Sequence, residues 1–279
     1  MAFKNLLVHL DPSKSSAKRA DAAIALAARH GAHLTALAAA AMPTIPSYVE
    51  AQIPAAVFEQ ARESTMESLT AAVDGFAKKA GAAGIAFEVR KELAKGPLAE
   101  LISQHARYSD LAILGQSDPD DPLSGEPELS EDVILGGGRP VLMIPYIGAM
   151  QEPGRKVVVA WDAGREAARA VNDAMPLLAA AEQVSVLIVN PKRGPGAHGD
   201  EPGADIATHL ARHGVKVDVK VYTQRDLSIA DVILARISDD GADLVVMGAY
   251  GHARLREMVL GGVTREMFRH MTVPLFMSH

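Results

Sequence analysis

The chain repeats its own punctuation, and this repeat constrains the fold more than any other feature. In the first half an apolar run, Leu6–Leu10, stops at Asp11-Pro12; a helical pattern, SSAKRADAAIALAARH, follows and ends at Gly31. Glycine is a common helix stop because it adopts positive φ without a Cβ penalty. The second half opens the same way: KVVVAWD ends at Asp162, and AGREAARAVNDAMPLLAAA reads as one helix. Second strands follow at Leu34–Ala40 and from Val184, third strands at residues 85–90 and 215–222. The helical stretches GPLAELISQHARYSD and DLSIADVILARISDDGAD each run to an aspartate. LAILG (111–115) and LVVMG (244–248) end in glycine, and RPVLMIP (139–145) and VPLFMSH (273–279) close the halves.

Strands alternating with helices of this length require crossover connections, hence parallel pairing. The expected class is therefore α/β, with two tandem open-sheet domains. Each would be a mostly parallel five-stranded sheet with helices on both faces, over residues 1–147 and 154–279. The join falls in YIGAMQEPGRK, residues 146–156, which has a linker's glycine, proline and polar content. Aromatic residues are only 4% of a chain that is 48% hydrophobic. The cores must therefore be built from Ala, Leu, Val and Ile, as suits strands covered on both faces.

The halves differ most in the loop after the fourth strand. In the second half it reads LVVMGAYGHARLREMVLGGVTREMFRH. Gly248 closes the strand, Gly251 follows two residues later, and Gly261-Gly262 follow nine after that, with Val263 and Thr264 opening a helix. Glycines let the backbone approach a ligand closely. A helix start offers unpaired N–H groups and the positive end of the dipole to an anion. The site would lie outside the carboxyl ends of parallel strands, where open α/β sheets bind ligands. His252 and Arg254, inside the loop, are candidate phosphate donors. By pattern alone, phosphate binding and plain loop punctuation stand equally open. No Gly-Lys-Ser/Thr is present, and the glycines follow a late strand, so neither a P-loop nor a dinucleotide fingerprint fits.

Over nearly all of both halves the chain resembles tandem members of the universal stress protein family. Nucleotide-binding members carry G-x2-G-x9-G, followed by Ser or Thr, after their fourth strand. Gly248, Gly251 and Gly261 match in spacing and context; Gly262 stands where the Ser or Thr would be, a departure that removes one hydroxyl, and Thr264 matches a second hydroxyl position. The resemblance implies that Asp162, at the end of the first strand, lies beside base and ribose, and that Val189 lies near the adenine. It also implies an ATP, ADP or AMP ligand, with Mg2+ arriving only through the nucleotide. Paired last strands would run antiparallel across an intramolecular domain interface, an arrangement compatible with a further homodimer.

In the first half Gly115 is kept, but Asp118 holds the position of Gly251 and the loop carries Asp120, Asp121 and Glu126. Carboxylates there repel phosphate, so this half is expected to have lost the site. The glycines at 136–138 read as a helix stop. The apolar insertion at residues 42–60 reads as local packing, with a lid or partner surface as the alternative. Trp161 is expected to pack against the domain, on a different side from Asp162 by strand alternation, with a place bordering the base pocket as the alternative.

With 28 basic and 34 acidic residues, the chain lacks the basic excess of a nucleic-acid binder. No run reaches the length of a membrane span, no secretory h-region opens the sequence, and cysteine is absent. A cytoplasmic protein without disulfides or thiolate metal sites is the expectation. No His/Asp/Glu spacing marks a metal site, no hydrolase elbow is present, and no catalytic residue is assigned. Three functions remain open: a nucleotide-binding regulatory module with at most weak ATPase activity, a ligand-independent scaffold, and a slow hydrolase or transferase acting on a small phosphorylated substrate.

Overall fold

The computed structural model describes residues 2–41, 54–125, 128–148, 152–191, 200–224, 226–251 and 262–279. They fall into two compact units, Phe3–Gly138 and Arg139–His279. Both are built as the sequence repeat demands, with parallel strands joined through helices.

The first unit runs β1 (Asn5–Leu10), α1 (Ser16–His30), β2 (His33–Ala41), α2 (Ala55–Ala82), β3 (Phe87–Ala94), α3 (Leu98–Ala106), β4 (Leu111–Gly115) and α4 (Glu128–Gly137). Its strands lie in the order β3-β2-β1-β4, all parallel. Leu6, Val8, Leu34, Ala36, Leu37 and Ile113 are wholly buried, the small aliphatic core that the scarcity of aromatics dictates. β3 extends to Ala94, beyond the expected 85–90, because β2 pairs with it as far as Ala41 opposite Ala94. The glycines at 136–138 do end a helix: α4 closes at Gly137 and Gly138 has φ +65°. Residues 42–53 of the insertion lie outside the described residues.

The second unit contains β5 (Val141–Ile144), β6 (Lys156–Ala160), α5 (Arg165–Asp173), α6 (Met175–Leu178), β7 (Gln183–Val189), α7 (Ala204–Arg212), β8 (Val217–Tyr222), α8 (Ile229–Asp240), β9 (Leu244–Gly248), α9 (Gly262–His270) and β10 (Leu275–Ser278). The strands lie in the order β5-β10-β9-β6-β7-β8; all neighbours are parallel except β5 and β10, which are antiparallel, with Leu142 opposite Phe276. By sequence β5 closes the first repeat, yet it packs as part of the second unit. An apolar strand left at an open edge would expose a row of unpaired backbone groups, and pairing with β10 covers it.

The expected single helix after Asp162 is two, α5 and α6. Pro176 has no amide hydrogen to offer the carbonyl four residues back, so the first helix ends at Asp173, with Ala174 as its cap. The aspartates at which both sequence patterns stop have a structural task. Asp110 accepts the amides of Lys4 and Asn5 at 2.7 and 3.0 Å. Asp243 likewise accepts those of Gly154 and Arg155 at 2.8 and 3.0 Å. Each carboxylate thus ties the entry of its unit's central strand to the entry of the neighbouring parallel strand. α8 starts on a reciprocal capping box, Ser228 with Asp231, and stops at Gly241 in the left-handed conformation. No helix among the described residues is long and apolar enough to cross a membrane.

Candidate nucleotide site

In the second unit the chain leaves β6 to one side, toward β7, and later returns on the other side as β9. That reversal opens a crevice beyond the carboxyl ends of the strands. A cavity of about 240 Å³ lies there. Its wall takes Ala160, Trp161 and Asp162 from the end of β6, Leu187 and Val189 from β7, Met247, Gly248, Tyr250 and Gly251 from β9 and its exit, and Ile229 and Ile233 from α8. Glu166 of α5 and Gly262, Val263 and Thr264 of α9 complete it. The aliphatic residues make a surface suited to a flat apolar group. The polar groups gather where the first turns of α5 and α9 meet the strand ends.

Seven residues singled out from sequence line this one cavity: Asp162, Val189, Gly248, Gly251, Gly262, Val263 and Thr264. His252, Arg254 and Gly261 lie outside the described residues. Trp161 is a correction. It lines the same cavity as Asp162, because β6 ends at Ala160 and strand alternation no longer governs the next residues. Ala163 then turns the backbone with φ +61°.

That turn belongs to a pattern. Among the described residues, the non-glycine residues with positive φ are Ala163 (61°), Asn190 (52°) and Tyr250 (58°). They stand just past the carboxyl ends of β6, β7 and β9, the three strands that supply the cavity wall. A left-handed backbone costs an ordinary residue of order 1 kcal/mol or more. Such strain collects where a structure is held open for a ligand.

The glycines are needed for two different reasons. A Cβ on Gly248 would stand 2.5 Å from the backbone nitrogen of Ala167 and 2.6 Å from the carbonyl carbon of Glu166, so only glycine lets α5 press against the end of β9. A Cβ on Gly251 would instead meet a side chain, with Glu166 Oε2 at 3.1 Å and Asp162 Oδ2 at 3.9 Å. At Gly262 nothing among the described residues lies within 4 Å; that position is exposed at the start of α9, while Thr264 is 5% exposed.

Glu166 escaped the sequence reading. It is 4% exposed and accepts a short hydrogen bond from Arg165 Nε through Oε1. Burial pushes its pKa up. The bond from Arg165, its own backbone amide and the charges of Arg165 and His279 more than offset this, leaving the carboxyl below its ordinary value. Its position four residues after Asp162, in the first helical turn, was the available signal: a helix that follows a strand presents that turn to the strand's end. Asp162 is exposed and accepts the amide of Gly164 at 2.8 Å, closing a tight turn.

The matching place in the first unit is filled. Arg19 is 2% exposed. Its Nη2 lies 2.7 Å from Asp11 Oδ2, and its Nε donates to the His9 carbonyl at 2.6 Å. A Cβ on Gly115 would collide with Arg19 Nη1, so the guanidinium occupies the space beside the end of β4. Asp11 is also held by the Ser13 amide at 3.0 Å and the Ser13 hydroxyl. The acidic loop folds back onto this cluster. Asp121 accepts the Lys14 amide at 2.9 Å, and the Asp118 amide donates to Ser124 Oγ at 2.9 Å. The acidic loop that repels phosphate is joined by an arginine that fills the volume. A separate cleft of about 370 Å³ lies between α1 and α2, lined by Asp11, Ser13, Ser68, Gly75, Phe76 and Lys79 among others. No cluster of three or more metal-ligating side chains occurs among the described residues.

A mostly parallel open sheet with a glycine-bordered cavity at its topological switch point places the chain in the α/β class. Comparison with known proteins narrows it. The sequence pattern of the universal stress protein family matches residues 2–118 and again 154–279; the chain belongs to that family, as a tandem of two such domains. A universal stress protein of Synechocystis is 33% identical over 67 residues, which is 24% of this chain and 22% of that protein. The match therefore spans about a fifth of that relative's length. Among solved structures, a universal stress protein from Archaeoglobus fulgidus aligns with a TM-score of 0.76 and 18% identity, over 98% of this chain and 95% of that one. A Pseudomonas aeruginosa protein assigned to the same family aligns at 0.58 with 16% identity, over 99% and 93%. At these identities the structures speak for the fold.

Proposed function

We propose that the second half binds ATP or a related adenine nucleotide, ADP or AMP, in the cavity between β6, β7 and β9. The protein would act as a regulatory module of the stress response with at most weak ATPase activity. The observation that carries this reading is the convergence of three strained strand exits on one cavity. The rim of that cavity is Gly251 with the Gly262–Val263–Thr264 helix start. The apolar wall suits a base. The first amides of α9, aided by the helix dipole, suit phosphate without any basic cluster. Mg2+ would enter with the nucleotide. The first half, its place taken by Arg19, would serve as a structural partner. The domains would be 1–147 and 154–279, joined as an internal pair through β5 and β10, and the setting would be cytoplasmic.

Gly251→Val tests the assignment. A branched side chain there crowds Glu166 and the cavity while leaving the sheet intact, so ATP affinity should fall at least tenfold. A variant that binds ATP as well as the parent removes the site. The scaffold reading draws support from Gly262 in place of a hydroxyl residue; it requires that ATP–magnesium cause no thermal shift. The hydrolase reading requires steady turnover that is lost in Asp162→Asn.

A further inference from the structure

The cavity proposed above for a nucleotide is bordered by groups of opposite electrical character. Gly262, Val263 and Thr264 bring the start of α9, the positive end of that helix, to its wall. Two carboxylates border it as well. Glu166 Oε2 and Asp162 Oδ2 lie 3.1 and 3.9 Å from the point where a Cβ on Gly251 would be. They therefore converge on the residue at which the glycine loop leaves β9. Asp162 is exposed and shielded by solvent. Glu166 has a side chain 5% exposed, while its partner Arg165 is 85% exposed and reaches it from the solvent side through Oε1. The oxygen turned toward Gly251 is the other one.

We infer that Glu166 selects ligands by charge: it admits an uncharged nucleoside or a metal-bound nucleotide and disfavours metal-free polyphosphate. The inference rests on the nucleotide reading of this cavity. Like charges a few ångströms apart, away from bulk water, repel far more strongly than on an open surface, and each added phosphate charge increases that cost. A divalent cation bound to the phosphates offsets part of their charge and lowers it. An apolar base and a neutral ribose do not feel it. Glu166 is ionised at neutral pH, since its carboxyl titrates below the ordinary range. The start of α9 favours anionic phosphates, so discrimination against metal-free polyphosphate comes from Glu166.

The experiment is calorimetric titration of the full chain with adenosine, ATP in EDTA, and ATP with excess magnesium. Parent, Glu166→Gln and Arg165→Gln are compared. Glutamine keeps the shape of Glu166 and the oxygen that accepts from Arg165. Glu166→Gln should raise affinity for metal-free ATP roughly tenfold, shrink the magnesium dependence by the same factor, and leave adenosine within about twofold. Arg165→Gln, at an exposed position that spares the fold, should move metal-free ATP the other way. An unchanged ratio of metal-free ATP to adenosine affinity in Glu166→Gln overturns the inference while leaving the site standing. Failure of the parent to bind any of the three ligands overturns the nucleotide reading, and this inference with it.

Discussion

Gly248→Ala should destabilise the second unit by forcing α5 away from the end of β9. The added methyl would stand 2.5 Å from the Ala167 nitrogen, 2.6 Å from the Glu166 carbonyl carbon and 2.9 Å from Glu166 Cβ. Ordinary carbon contacts lie near 3.5–4.0 Å, so the start of α5 must retreat from β9 by about 1 Å. Two of the three atoms are backbone and cannot rotate aside. The helix is also anchored at its far end, where Ser278 Oγ donates to Asp173 at 2.9 Å. Overpacking typically costs about 1–3 kcal/mol; a backbone-on-backbone clash places this variant near the top, at about 3 kcal/mol. For a unit of this size each kcal/mol shifts Tm by roughly 2–4 °C, so a drop of about 6–12 °C is expected by calorimetry. Urea unfolding should show a lower midpoint with an unchanged m value. Gly262→Ala, with nothing among the described residues within 4 Å of the new methyl, is the control and should stay within about 0.5 kcal/mol. A Gly248→Ala protein that melts within about 2 °C of the parent would mean that α5 does not press on β9 as described.

Three further outcomes follow from the first unit and α8. Arg19→Met leaves Asp11 buried beside no cation and should cost about 3–5 kcal/mol in urea denaturation, whereas Arg19→Lys, which keeps the charge, should cost less. His9 is 2% exposed, and burial lowers its pKa from 6.5 despite the opposing charge of Asp11. The unfolded chain therefore binds the proton first. Its contribution to stability is complete above about pH 6.5 and lost as pH falls toward the folded pKa; His9→Gln should flatten the slope of stability against pH in that window, and an unaltered slope would exclude His9 as its source. Ser228→Ala removes the acceptor of the Asp231 amide at 3.1 Å and should cost about 1 kcal/mol, read from the urea midpoint.

Much of the architecture was legible because it depends on local rules. Glycine stops, apolar runs and helical periods are written residue by residue, and the two halves repeat them. The glycines at 136–138 could be told from a phosphate loop by their position before a strand. The antiparallel pairing of β5 with β10 was expected from the family resemblance; that β5 packs as part of the second unit was not legible, because it depends on contacts that no local signal in RPVLMIP records. Nor was the break at Ala174, where one proline outweighed an otherwise good helical pattern. At the candidate site, Asp162, Gly248, Gly251, Val263 and Thr264 were visible as punctuation at strand ends. Trp161 and Glu166 were not: the end of β6 at Ala160, which frees Trp161 from strand alternation, is not announced by any residue type, and the one signal for Glu166 was its place in the first helical turn after Asp162. The first half's acidic loop was readable as hostile to phosphate. Arg19 filling the space beside Gly115 was not, because a helix residue and a strand end more than ninety positions apart meet only in three dimensions.

The most direct test of the central claim is the stoichiometry of small molecules released from gently purified protein, measured by mass spectrometry before and after incubation with ATP and magnesium. One adenine nucleotide per chain, lost in Gly251→Val and retained in Arg19→Lys, is the predicted result. Two per chain would contradict the closure of the first unit by Arg19, and none under either condition would contradict nucleotide binding itself.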